Sequence, residues 1–186
     1  MKTTYTVPTR EQMSAANQAI YDLIQQTYGF IPNLFAVLTY SDTALPALLA
    51  LQQSHTKGAF TAREREAINL VVSQTNECQY CTAAHSAIGK LNGFSDEQLL
   101  AIRRGEAPFD PKLDAVIRLA KAITLTKGHP DPALLEAFFA AGYSQGALVD
   151  MTMLIGDRVI LNYIHALTQV PVDFPPVPAL TEGALH

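Results

Sequence analysis

Apolar residues recur at three- and four-residue spacing along most of the chain, and short polar breaks carrying helix-cap residues separate the runs. Residues 1–8 read as irregular. Thr9-Arg-Glu-Gln12 is a capping-box pattern and predicts a helix over 9–28 with Met13, Ala16, Ile20, Leu23, Ile24 and Thr27 on its inner stripe. Gly29 ends it, and Phe30-Ile31-Pro32-Asn33 is an apolar connector, because Pro32 disfavours helical backbone at Ile31. Helices over 34–40 and 42–57 follow, the second with Pro46 in its first turn and Gly58 at its end.

Thr61-Ala-Arg-Glu64 is a second capping box and opens a helix over 61–73. Asn76 is the expected N-cap of a helix over 77–91 that stops at Asn92-Gly93. Ser95 caps a short amphipathic helix ending at Gly105, and Asp110-Pro111 and Asp131-Pro132 each pair an N-cap with proline at the first helical position. Those two helices run to Gly128 and Gly142. Ser144 opens a last long helix to about 169, with Val149, Met153, Ile160 and Ile164 as its apolar positions. The prolines at 171, 175, 176 and 178 break up a tail over 171–186 that is expected to pack loosely or to cover a neighbour.

No strand pattern survives, because the short apolar runs lie inside longer helical periods. The predicted fold class is all-α, a single domain over 1–186 of eight or nine helices with its core motif at 61–90. A length of 186 residues suits one well-cored domain. Net charge is −4 with no basic block, which argues against nucleic-acid binding. The first residues carry no apolar signal core and no apolar run reaches membrane-spanning length, so no membrane association and a cytoplasmic location are expected.

The candidate chemistry lies between Glu66 and His85. This stretch holds both cysteines of the chain, Cys78 and Cys81, three residues apart, with His85 four residues after Cys81. In a reducing compartment such a pair points to catalysis or metal binding rather than to a structural disulfide. At the start of a helix, free N–H groups and the helix dipole stabilise a thiolate. His85 shares a helical face with Cys81, where an imidazolium would lower the thiol pKa, and Glu66 on the preceding helix could orient His85 or take its proton. Nucleophile, base and orienter are then all present. They suit peroxide reduction: a thiolate attacks the O–O bond, the resulting sulfenic acid condenses with the second cysteine, and an external dithiol reduces the disulfide.

At these residues the sequence resembles the alkyl hydroperoxidase D and carboxymuconolactone decarboxylase superfamily. Glu66, a twelve-residue step, Cys78-Gln-Tyr-Cys81 and Ala84-His85 carry the likeness, strongest over 61–90. It extends through Phe30-Ile31-Pro32-Asn33 and Ala141-Gly142-Tyr143-Ser144. The resemblance implies an all-helical fold, homo-oligomers, and hydroperoxide reductase or disulfide reductase activity with a lipoyl-type dithiol as reductant. It also implies Cys81 as the peroxidatic thiol and Cys78 as the resolving one, with Glu66 and His85 as proton relay. Alkyl hydroperoxidase D proper has histidine directly before the second cysteine, where this chain has Tyr80. Tyrosine there can donate a hydrogen bond but is no base near neutral pH.

Rival readings fit less well. Zinc needs four ligands and these residues offer three; haem attachment needs histidine where Thr82 stands; a thioredoxin site needs a βαβ context. No cofactor or metal is therefore expected. A redox sensor with weak peroxidase activity, a non-catalytic oligomeric module, and plain buried thiols beside a core histidine remain the alternatives. Elsewhere, His55, His129 and His186 are expected to be exposed and His165 to be a hydrogen-bonded core histidine. Phe30, Phe35, Tyr40 and Tyr28 read as core, interface or an apolar substrate entrance. Arg63-Glu64-Arg65 and Arg103-Arg104 read as solvated faces.

Overall fold

In a computed structural model that describes residues 5–180, the chain is all-helical. Expectations about residues 1–4, residues 181–186 with His186, and the side chain of Tyr28 fall outside what is described. The helices are α1 (Ala15–Tyr28), α2 (Asn33–Leu38), α3 (Ala44–His55), α4 (Ala62–Thr75), α5 (Gln79–Leu91), α6 (Asp96–Arg104), α7 (Pro111–Thr126), α8 (Pro132–Ala140) and α9 (Gln145–Thr168).

Most expected caps are present. Thr61 and Glu64 form a capping box at α4, Ser95 and Gln98 another at α6, and Asp110, Asp131 and Ser144 each accept first-turn N–H bonds. Two differ. The Thr9–Gln12 box closes a single 3-10 turn, Arg10–Gln12, and α1 begins one step later behind Ser14, whose hydroxyl accepts from Asn17 N–H. Extended backbone at Met13 separates the two, so the box and the helix are distinct structures. Asn76 ends α4 rather than starting α5, and Cys78 is the α5 N-cap. Between them Glu77 takes a left-handed φ of 56°, a conformation that costs a side-chain-bearing residue about 1 kcal/mol and reverses the chain here.

Helix α4 is the centre of the molecule. Residues Ala67 to Ser73 are all buried, an all-round burial possible only for a helix enclosed by others, and α4 packs against α5, α6, α7 and α9. One apolar core joins α4, α6, α7, α8 and the first half of α9 around Ile68, Leu70, Ile117, Phe138 and Met151. A second joins α1, α2 and α3 to the start of α5 through Ile24, Leu34, Leu45, Leu48 and Leu161. Cys78, Tyr80 and Cys81 belong to this second core.

Several surface expectations are corrected. Leu23, read as part of the α1 inner stripe, is 63% exposed. Val149, Met153 and Ile160 of α9 also face outward; α9 buries Ala147, Met151, Leu154, Asp157, Arg158, Leu161 and Asn162 instead. Arg63 is not merely solvated: its guanidinium covers Phe94 at 3.9 Å and donates to the Gly93 carbonyl, while Glu64 accepts from Tyr143 and Arg65 from its side donates to Phe60 O. Arg103 is buried and donates to Gln74. Arg63 and Arg65 thus satisfy backbone carbonyls of neighbouring segments, and Arg63 also stacks its guanidinium on a ring.

The tail is not loose at its start. Val170 is buried, Asn33 donates to Pro171 O, and Asp173 accepts both Asn33 N–H at 2.7 Å and Tyr80 Oη–H at 2.6 Å. Phe174 packs edge-on against Tyr80 and Phe30. Residues 170–174 thus form a strap across the start of α5.

Candidate active site

The local turn decides the geometry of the dithiol. With Cys78 at the N-cap of α5, its sulfur accepts the Cys81 N–H at 3.4 Å, and both cysteines are free and buried. An N-cap side chain normally supplies an oxygen to this orphan donor; here a sulfur does so at the positive end of the helix. The Cys81 thiol holds the Cys78 thiol well below its ordinary range against the effect of burial, with smaller lowering contributions from His165 and from the Cys81 N–H. That thiol–thiol interaction, together with burial, pushes the Cys81 thiol up.

Glu66 and His85 meet as their spacing suggested. Helices α4 and α5 form an antiparallel hairpin in which Glu66 Oε2 lies 2.7 Å from His85 Nδ1. His85 Nε2 lies 2.6 Å from Nη1 of the buried Arg158. A guanidinium has no acceptor, so Nε2 must accept and the imidazole is neutral with its proton on Nδ1, donated to Glu66. Burial, then the Arg158 charge, push His85 down in the same sense. Burial pushes the Glu66 carboxyl up, but His85 and Arg158 outweigh it and leave the group below the ordinary carboxylate range.

The row continues. Arg158 Nη2 donates to Asp157 Oδ2 at 3.2 Å, and His55 Nε2 lies 3.6 Å from the same carboxylate. The His55 side chain is 8% exposed, so it is not the solvated residue its position at a helix end suggested. Burial lowers its pKa. Glu66, His85, Arg158, Asp157 and His55, drawn from α4, α5, α9 and α3, form one buried polar line beside the thiols.

Tyr80 is a strut. Its hydroxyl donates to Asp173 and accepts Leu34 N–H at 3.2 Å, and burial with the Asp173 bond raises its pKa far out of range. His165, expected as a core histidine, is half-buried: its ring packs against Tyr80 at 5.3 Å and its Nε2 lies 3.2 Å from the Val170 carbonyl. Asn162 accepts from Asn76 Nδ2 at 2.9 Å, and its own buried Nδ2 has no oxygen or nitrogen partner and lies toward Cys81.

Sequence reading missed Arg158, Asp157, Asn162, His165 and Asp173 as site residues. A signal existed for the first two: an adjacent acid and base in the middle of an otherwise apolar helix are expensive to bury without partners. For the others no local pattern distinguishes a site residue from a surface one.

Residues 43–122 match the carboxymuconolactone decarboxylase family. No curated protein matches the sequence. Among solved structures, an uncharacterized peroxidase-related protein from Silicibacter sp. TM1040 superposes with a TM-score of 0.78 at 22% identity, covering 95% of this chain and 92% of its own. A protein from Ralstonia eutropha JMP134, described as an alkylhydroperoxidase AhpD core and peroxidase-related, gives 0.79 at 20%, covering 97% and 93%. The debrominase Bmp8, solved with 2,3,4-tribromopyrrole, gives 0.77 at 17%, covering 93% and 94%. The matched segment carries His55, Glu66, both cysteines, Tyr80 and His85, whereas Asp157, Arg158, Asn162, His165 and Asp173 lie beyond it. Over residues 43–122 the chain is similar to the carboxymuconolactone decarboxylase family, and its fold is that of these solved structures.

Proposed function

We propose that the chain is a thiol oxidoreductase that reduces hydroperoxides through a Cys78–Cys81 dithiol/disulfide cycle. The observation that carries this reading is the N-cap arrangement: at the positive end of α5 the Cys78 sulfur accepts the Cys81 N–H, and both thiols are free. Attack on the O–O bond leaves a sulfenic acid and an alcohol, the partner thiol closes the disulfide with loss of water, and an external dithiol, of lipoyl type, restores the thiols. The Glu66–His85–Arg158 line would hold the charge distribution beside the sulfurs constant through the cycle. The apolar residues of the second core favour an organic hydroperoxide over hydrogen peroxide.

A panel of organic hydroperoxides crossed with several dithiol donors tests the proposal, donor oxidation being the readout. Turnover that vanishes with Cys78→Ser and with Cys81→Ser is the expected result. Absence of peroxide consumption across the panel sinks it.

Thiol–disulfide exchange with little peroxide turnover is the second reading. It is favoured by Tyr80, whose hydroxyl is committed to Asp173 and Leu34 N–H and so has no proton free for a departing alkoxide. Donor oxidation by a model disulfide, with none by peroxide, would select it.

Assembly into homo-oligomers forms part of the same proposal, and the outer face of α9 supports it. Val149, Met153, Gly156, Ile160, Tyr163 and Leu167 recur at alternating four- and three-residue steps and are all exposed. The stripe carries no charge and would meet the same stripe on a second copy as a self-complementary seam.

A further inference from the structure

Two arginines are buried among the described residues, and they are compensated differently. Arg158 has Asp157 and His85 beside it. Arg103, 6% exposed near the end of α6, has a neutral partner: its Nε donates to Gln74 Oε1 at 2.8 Å. Among the described residues no carboxylate lies within ion-pair distance of Arg103. Burying a guanidinium without a counter-charge is costly, and an anion that completes it recovers the cost. The Nη groups of Arg103 find no partner among the described residues, yet they are not sealed from solvent.

Arg103 lines a cleft of about 660 Å³ between α5, α6 and residues 176–180. That volume falls within the range of roughly 300–1,000 Å³ typical of small-molecule sites. Ser86 on α5, 5% exposed, belongs to the same wall, and its hydroxyl has no hydrogen-bond partner. One cleft is thus bordered by two unspent donors, one of them charged. Its acids are already engaged: Asp96 pairs with Lys90 at 2.6 Å, and Glu97 accepts from the Ser95 hydroxyl at 2.8 Å. Leu99, Leu100, Val177 and Leu180 supply apolar wall. Ser86 lies five residues beyond Cys81, roughly 140° further round α5, so the cleft uses a different face of that helix from the dithiol.

We propose that this cleft binds a small aliphatic carboxylate, a molecule with the chemistry of a medium-chain fatty acid. Its carboxylate sits on the Arg103 guanidinium, whose planar fork matches two carboxylate oxygens, with Ser86 as a further donor. Its chain lies along Leu99, Leu100, Val177 and Leu180. A single negative charge offsets the one buried guanidinium, whereas a dianion such as phosphate would meet Asp96 and Glu97 in the same wall. The apolar wall would go unused by a bare anion. The assignment is independent of the hydroperoxide reading, since no residue of the dithiol or of the Glu66–His85–Arg158 line takes part.

The test is calorimetric titration of the full chain with decanoate, decan-1-ol and inorganic phosphate. One decanoate should bind per chain, with the alcohol and phosphate each weaker by about tenfold or more, the worth of a hydrogen-bonded charge. Arg103→Met should weaken decanoate by about the same factor and leave the alcohol as in the parent, and Ser86→Ala should weaken it about threefold. Should Arg103→Met fail to fold, Leu100→Glu decides. Leu100 is a half-buried residue of the cleft wall, and a carboxylate there should abolish decanoate binding with the melting temperature little changed. Alcohol binding as tight as decanoate binding overturns the role of Arg103. Phosphate binding as tight as decanoate overturns the aliphatic occupant. Decanoate affinity untouched by Leu100→Glu, or no decanoate binding at millimolar concentration, overturns the site itself.

Discussion

Glu66, His85 and Arg158 show how three ionisable side chains can share a buried space with a single consistent protonation pattern. The carboxylate accepts, the imidazole donates from one nitrogen and accepts at the other, and the guanidinium only donates. Removing one member strands the rest. Glu66→Ala leaves the His85 Nδ1–H without a partner and should cost about 1–3 kcal/mol in urea unfolding. The carboxyl of Glu66 lies below its ordinary value in the fold, so its contribution to stability is complete above the unfolded value of ~4.3 and disappears as pH falls through the folded one. Stability of Glu66→Gln should therefore decline less between pH 5 and 3 than that of the parent, by calorimetry. Arg158→Met leaves Asp157 buried beside a histidine and nothing else charged, a loss of ~3–5 kcal/mol, and adding Asp157→Asn should return part of it. Equal unfolding midpoints for the single and double variants would show that the two residues do not act as a pair.

Among the elements, α5 depends on two close approaches. At its start, the left-handed Glu77 puts Cys78 in the capping position, so one of the two sulfurs is also the helix cap. Further along, Gly89 faces α6 with so little room that a Cβ there would lie 2.7 Å from Leu99 Cδ2. Leu99 must turn away to admit it, and Gly89→Ala should lower stability by about 1–3 kcal/mol, less when Leu99 is shortened to Val. The strap over 170–174 is held to α5 and α2 by the Tyr80–Asp173 and Asn33–Asp173 bonds. Tyr80→Phe removes the first of these. The helices should melt ~1 kcal/mol less stably, while proteolytic cleavage near Val172 should quicken well beyond that change. Unaltered cleavage would mean that Phe174 packing alone secures the strap.

For the molecule as a whole, α9 divides its labour between two faces. Inward it supplies Asp157, Arg158, Asn162 and His165 to the site; outward it shows the uncharged seam from Val149 to Leu167. The site and the assembly surface proposed here are thus opposite sides of one helix. Ile160→Glu would place a charge in the middle of the seam without touching the buried line. Light scattering should then report a smaller species than for the parent chain, with far-UV dichroism unchanged; identical masses would locate any subunit contact elsewhere.

Much of this was present in the one-dimensional pattern. Helical periodicity, the Thr61 and Ser95 boxes and the Asp-Pro starts are local features, set by residues within one turn of each other, and they produced helices close to those observed. The encounter of Glu66 with His85 was legible because α4 and α5 are consecutive and a short reversal leaves antiparallel packing as the simple outcome. What the chain order could not show is what arrives from afar. Arg158 occupies the imidazole nitrogen that the spacing had offered to sulfur, and His165 packs its ring against Tyr80 of the dithiol motif. Both come from α9, more than seventy residues away, and only the packing of that helix against α4 and α5 decides what surrounds the dithiol motif.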